Sequence, residues 1–266
     1  MRRAAATAPV STGLGLAAGC GEQTQTQTIA PGRVTLALEE VRVGRGPTGG
    51  VVLRPAVGPL RLPVVVFLHG IYAIEPSYYR PWLEHLARQG NVVIYPSYQG
   101  VVSLPGTYLS NVRTAVAAAL ERVPADASTL VIAGHSAGGA LAADYAATAA
   151  SAGLPVPRAV FAAYPGRRLA NLPLGIPAPD LRGIGPGTRI VVLAGADDLV
   201  VGTLEADRIV NGAVRVPRAR RSYTIVGDPA VDDHVAPQRA DAAARAEFWA
   251  RLDRLLGEVR GPEQRR

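Results

Sequence analysis

Thr129-Leu130-Val131-Ile132-Ala133-Gly134-His135-Ser136-Ala137-Gly138-Gly139-Ala140-Leu141-Ala142-Ala143 joins an apolar run, a glycine-flanked serine and a run of small residues. The first five residues suit a strand buried on both faces, and the last five suit a closely packed helix. Between them the chain turns sharply, with Ser136 at the apex. Gly134 and Gly138 stand two residues to either side, where a Cβ would collide with the crowded turn. The helix that starts at the serine points its first N–H groups at the same spot and favours negative charge there. The bare G-x-S-x-G spacing also fits an ordinary loop; the flanking strand and helix give it its meaning.

Working outward, Val64-Val65-Val66-Phe67-Leu68, Val92-Val93-Ile94-Tyr95, Ala159-Val160-Phe161-Ala162 and Ile190-Val191-Val192-Leu193 are likewise continuously apolar. Tyr223-Thr224-Ile225-Val226 is the last strand candidate. Helical patterns fall between most of them, at about Tyr78 to Gln89, Tyr108 to Arg122, Ser136 to Ala150 and Leu204 to Val210, with a final one from Gln238 to Val259. Strands alternating with helices predict an α/β fold: a mostly parallel sheet with helices on both faces. Val34 to Val43 alternates apolar and polar residues and predicts a half-exposed edge strand, followed by a short strand at Val51-Val52-Leu53. The proline-rich span from Tyr164 to Thr188 has no helical periodicity and leaves room only for a loop, so an open site without a cap is expected.

The chain has 266 residues, 48% of them hydrophobic, enough for one domain with a substantial core. No apolar stretch is long enough to predict a transmembrane helix. The net charge of +7 comes from 28 basic residues, every one of them arginine. They are dispersed, with few aromatics among them, so a nucleic-acid partner is not expected. Cys20 is the only cysteine, which excludes an intrachain disulfide. Arg2-Arg3, a weakly apolar stretch and Leu16-Ala17-Ala18-Gly19-Cys20 are similar to a bacterial lipoprotein leader. Residues 1–30 are therefore expected to be a leader and tether, and 31–260 a catalytic domain. That predicts an extracytoplasmic protein, tethered to a membrane if Cys20 is lipidated, or a cytoplasmic one if the segment is only an incidental N-terminus.

A serine that acts as a nucleophile needs a base, a carboxylate to orient that base, and donors for a developing oxyanion. Four histidines make the search short. His135 lies inside the turn, pointing away from the hydroxyl. His85 reads as a surface residue of a helix, and His69 as a brace for the loop after its strand. His234, in Asp232-Asp233-His234-Val235-Ala236-Pro237, follows the last strand and sits at the C-terminal edge of the sheet, where open α/β folds bind ligands. The acid is expected after a buried strand in Gly195-Ala196-Asp197-Asp198. Asp198 is preferred, Asp197 being the alternative and otherwise a turn residue. Asp232 and Asp233 read as loop-shaping residues. In Leu68-His69-Gly70-Ile71-Tyr72, the N–H of Ile71 is the candidate first oxyanion donor, with that of Ala137 as the second.

His69-Gly70, Gly134-x-Ser136-x-Gly138, Gly195-x-x-Asp198 and Asp233-His234, in that order, resemble the α/β-hydrolase superfamily over about residues 34–258. The resemblance implies an α/β-hydrolase fold with an eight-stranded sheet, a catalytic set of Ser136, Asp198 and His234, and neither metal nor cofactor. The short capless form resembles the dienelactone-hydrolase-like, chlorophyllase-like and polyester-hydrolase-like branches, although serine at position 136 argues against a dienelactone-type thiol. The expected activity is hydrolysis of a small-molecule, lipid or polymer ester through an acyl-enzyme. An acyltransferase or amidase would use the same residues, and a binding protein on an inactive scaffold would lack one of them. Tyr72, Tyr78, Tyr79, Trp82 and Tyr98 cluster near the predicted site, with Tyr72 the best substrate-binding candidate and Trp82 read as packing. Arg167 and Arg168 read either as solvated or as contacts to an anionic substrate. Neither the ester nor the oligomeric state is legible.

Overall fold

The computed structural model describes residues 36–100, 102–168 and 175–260. The leader-like segment with Cys20 lies outside them. Eight strands form one sheet: β1 (Leu38–Val43), β2 (Gly50–Pro55), β3 (Leu62–Leu68), β4 (Val92–Pro96), β5 (Ala125–His135), β6 (Ala159–Ala163), β7 (Arg189–Gly195) and β8 (Arg221–Val226). Their spatial order is β1-β2-β4-β3-β5-β6-β7-β8. The β1–β2 and β2–β4 pairs are antiparallel and the rest are parallel. This is the α/β-hydrolase fold expected from the sequence.

The continuously apolar strands are buried on both faces because alternate side chains feed two separate cores. Val64, Val66 and Leu68 of β3 join Leu130 and Ile132 of β5 in one layer. Val65 and Phe67 join Val131 and Ala133 in the other. The first layer is covered by α2 (Tyr108–Arg122), α3 (Ala137–Thr148) and α4 (Leu204–Gly212). The second is covered by α1 (Arg80–Arg88) and the C-terminal helical segment. At about 25 cal/mol per Å² of apolar surface removed from water, each such strand contributes several kcal/mol of hydrophobic stabilisation.

Among the boundaries that differ from the sequence reading, two stand out. β5 starts at Ala125, because Ala125 and Asp126 pair with Leu62 and Pro63 before a bulge restores register. The predicted helix at 238–259 is broken into a 3-10 turn (Ala236–Gln238), α5 (Ala242–Ala244), a π turn (Arg245–Trp249) and α6 (Ala250–Val259). Asp241 caps α5 by accepting the Ala244 N–H at 2.9 Å. In the described part of the proline-rich span the only regular element is a 3-10 turn at Leu181–Gly183, and no cap domain is evident. No helix among the described residues is long and apolar enough to cross a membrane.

Candidate active site

Ser136 sits between β5 and α3 with φ 57° and ψ −123°, a conformation that a residue with a side chain adopts only when its surroundings impose it. The surroundings do so through the backbone. The Ser136 N–H donates to the Ala163 carbonyl at 3.1 Å, and the Ser136 carbonyl accepts from Gly139 and Gly166 at 3.0 Å each. A Cβ on Gly134 would fall on the Gly138 carbonyl, and one on Gly138 would fall on the Leu68 and His69 carbonyls. Neither neighbour is a flexible side chain that could move aside. Gly138→Ala is therefore expected to destabilise by about 3 kcal/mol and to lower Tm by roughly 10 °C. An unchanged melting curve would show that α3 does not press on the end of β3.

Ser136 is almost buried, and its Oγ lies 3.0 Å from His234 Nε2. His234 Nδ1 lies 2.8 Å from Asp198 Oδ2. The other carboxylate oxygen, Oδ1, accepts the N–H groups of Val200 at 3.0 Å and Val201 at 3.1 Å. Burial alone would raise the Asp198 carboxyl, but the His234 hydrogen bond, the charge interaction with it and the two backbone donors outweigh burial and hold it below its ordinary range. A carboxylate facing Nδ1 places the imidazole proton there, so the lone pair of Nε2 faces the serine hydroxyl. Asp197 is exposed and takes no part. Asp233 shapes the histidine loop: Oδ1 accepts the Val235 N–H at 3.1 Å, and Oδ2 pairs with Arg239 at 2.7 Å. The Tyr164 hydroxyl donates to the Val231 carbonyl at 2.5 Å and ties the same loop to the end of β6.

On the other side of Ser136, the loop after β3 has most of its N–H groups engaged. Gly70 donates to the Tyr79 hydroxyl at 3.0 Å, Tyr72 to Gln99 Oε1 at 2.9 Å, and Ala73 to the Gly70 carbonyl at 3.1 Å. The N–H of Ile71 has no partner among the described residues, and neither does that of Ala137 at the start of α3. Both residues line one cavity of about 280 Å³ together with Ser136 and His234. His69 hydrogen-bonds only with backbone: Nδ1 lies 2.6 Å from the Gly70 carbonyl and Nε2 2.9 Å from that of Ser97. A neutral ring can donate to only one of them. The His69 ring also stacks on Tyr98, 4.1 Å between centroids.

His135 does more than turn away from the serine. Its Nε2 lies 2.8 Å from the His234 carbonyl, and its Nδ1 lies 2.7 Å from the Tyr79 hydroxyl. A carbonyl can only accept, so the ring proton is on Nε2 and Nδ1 accepts from Tyr79. The donors then run one way, from the Gly70 N–H to Tyr79 and from Tyr79 to His135, while the far side of the His135 ring donates to the His234 carbonyl. One buried ring thus joins the two loops on either side of Ser136.

Burial holds His135 neutral, lowering its pKa to about 3, and lowers His69 to about 4. The unfolded chain binds protons through the ordinary imidazole value of 6.5 while the folded chain does not. Stability is thus complete above that value and falls as pH drops. Between about pH 6.5 and 4 both rings contribute, at about 1.4 kcal/mol per pH unit each. Urea unfolding across that range is expected to show this loss, and a flat profile would contradict two buried neutral rings.

The structure divides the aromatic cluster, with Tyr72 in the cavity wall and Trp82 in the core as the sequence reading preferred. Only Tyr72, with φ 65° and 71% exposure, lines the cavity. Tyr79, Trp82 and Tyr98 are buried, and Tyr78 is exposed away from it. His85 is not a simple surface residue: it is half-buried and reaches Asp253 at 2.8 Å. Arg167 is neither solvated nor free, for it pairs with Asp144 and Glu205 inside the protein. Tyr79, Gln99, His135 and Tyr164 carry the supports that the sequence reading missed. Three of these follow the C-terminal ends of strands or, like His135, occupy one, and that position was the available signal. Among the described residues no cluster of three or more His, Cys, Asp and Glu side chains could hold a metal ion. A larger cavity, about 540 Å³, lies at the opposite edge of the sheet among Arg158, Arg189 and Arg220, far from this hydroxyl.

The chlorophyllase family profile matches residues 32–161. A search of curated protein sequences finds no match. Among solved structures, a putative dienelactone hydrolase from Klebsiella pneumoniae is similar with a TM-score of 0.62 at 18% identity, over 84% of this chain and 99% of that one. A fungal esterase structure from Rhizomucor miehei gives 0.63 at 15% identity, over 85% and 84%. Esterase B from Lactobacillus Rhamnosis gives 0.62 at 16%, over 85% and 87%. At these identities the likeness concerns the fold.

Proposed function

We propose that this chain, an α/β-hydrolase by fold, hydrolyses carboxylic esters through an acyl-enzyme on Ser136. The carrying observation is the relay from Ser136 through His234 to Asp198, at 3.0 and 2.8 Å, beside two unengaged N–H groups. As Oγ attacks the ester carbonyl, Nε2 of His234 takes its proton and Asp198 stabilises the imidazolium that results. The carbonyl oxygen becomes an oxyanion and is met by the N–H groups of Ile71 and Ala137. A donor of this kind contributes about 3–4 kcal/mol to the transition state. His234 then protonates the leaving alcohol. Water, activated by the same ring, releases the acid.

The apolar wall of Ile71, Val200, Val201 and Val235 suits a short acyl chain. The fold neighbours agree with an ester substrate: one of these structures pairs Esterase B with a tributyrin phosphonate. The direct test is hydrolysis of a ladder of aryl esters of increasing acyl length, with a polymeric ester included. Turnover of the short members is expected, and no turnover of any would overturn the proposal.

A further inference from the structure

The two arginines after β6 have opposite surroundings. Arg167 is fully engaged: Nε donates to Glu205 at 2.7 Å, Nη1 to Asp144 at 2.8 Å and to the Pro177 carbonyl at 2.9 Å, and Nη2 to Asp144. Arg208 joins the same two carboxylates, with Nη2 3.3 Å from Asp144 and Nε 3.0 Å from Glu205. Two guanidinium groups thus balance two carboxylates. Arg168 is exposed and has no hydrogen-bond or ion-pair partner among the described residues. The neighbouring Arg167 carbonyl accepts the Ile176 N–H at 3.1 Å.

Arg168 stands where two cavities meet. One is the cavity of Ser136. The other, about 460 Å³, lies beyond it against Leu204 and Arg208. The two share Gly166, Arg167, Arg168, Val200 and Val201 in their walls. Among the described residues the only carboxylate lining either cavity is Glu205, already engaged by two arginines. Among the described residues the continuous cleft is therefore apolar along Val200 and Val201 and carries one positive charge, Arg168, without an ion-pair partner.

We propose that this second cavity is a substrate subsite and that Arg168 binds a carboxylate on the part of the ester remote from the scissile bond. The preferred substrates are then half-esters, in which an apolar segment separates the reacting carbonyl from a free acid. A guanidinium fork matches a carboxylate, and a charge-assisted hydrogen bond is stronger than a neutral one. The inference rests on the ester-hydrolase reading.

Its test compares an aryl half-ester of a dicarboxylic acid with the same ester capped as its methyl ester. The half-ester is expected to have the higher kcat/KM by about tenfold, with the preference shrinking as salt is raised. Arg168→Gln should raise KM for the half-ester by a similar factor, with a much smaller effect on the capped ester. Arg168→Glu should reverse the preference. Turnover without preference, or an Arg168→Gln effect equal on both esters, overturns the subsite and leaves the hydrolase reading standing. No turnover of either ester overturns both.

Discussion

Ser136→Ala is expected to lose about six orders of magnitude in kcat on a short aryl ester, because residues acting as one unit fail together when the attacking group is removed. The fold should survive. The change deletes one atom from a nearly buried site and leaves the backbone bonds to Ala163, Gly139 and Gly166 in place. The strained φ of 57° is common to both residues, so it cancels in the comparison. Thermal unfolding should therefore agree within about 2 °C, equivalent to less than 1 kcal/mol for a domain of this size. A residual rate above that of the free oxyanion donors, roughly 10³–10⁴ over water, would mean that another group attacks the ester.

Asp198→Asn should cost about 10⁴ in kcat with little change in stability. The reason is specific to this site. Val200 and Val201 both donate to Oδ1, so the carbonyl oxygen of an asparagine would keep that position. Its amide would then face His234 Nδ1 as a donor. The ring would have to accept there and carry its proton on Nε2, which would point an N–H at Ser136 Oγ instead of a lone pair. A base cannot act in that tautomer. Asp197→Asn, one residue away and exposed, should change kcat less than twofold. Equal losses in the two variants would contradict the assignment.

The parts of this structure legible beforehand were those set by local pattern. Unbroken apolar runs such as Val64 to Leu68 announced strands covered on both faces, and Gly134 and Gly138 announced a turn too tight for a Cβ. The choice between Asp197 and Asp198 could not be read with the same force, since both follow one strand and the turn decides which points inward. The link from Tyr79 through His135 to His234 was invisible because its partners lie 56 and 99 residues apart. The fate of the tyrosines was hidden as well: Tyr79 and Tyr98 resemble pocket residues in sequence, but their hydroxyls are engaged in holding the loop after β3. Arg167 and Arg168 look alike until α3 and α4 bring Asp144 and Glu205 to only one of them.

The most direct measurement is reaction of the intact chain with a fluorophosphonate, followed by peptide mass mapping. The relay predicts one adduct per chain, on Ser136, absent from Ser136→Ala and much slower in Asp198→Asn. No adduct, or an adduct on another residue with Ser136 unmodified, would contradict the proposal that Ser136 is the activated hydroxyl of this protein.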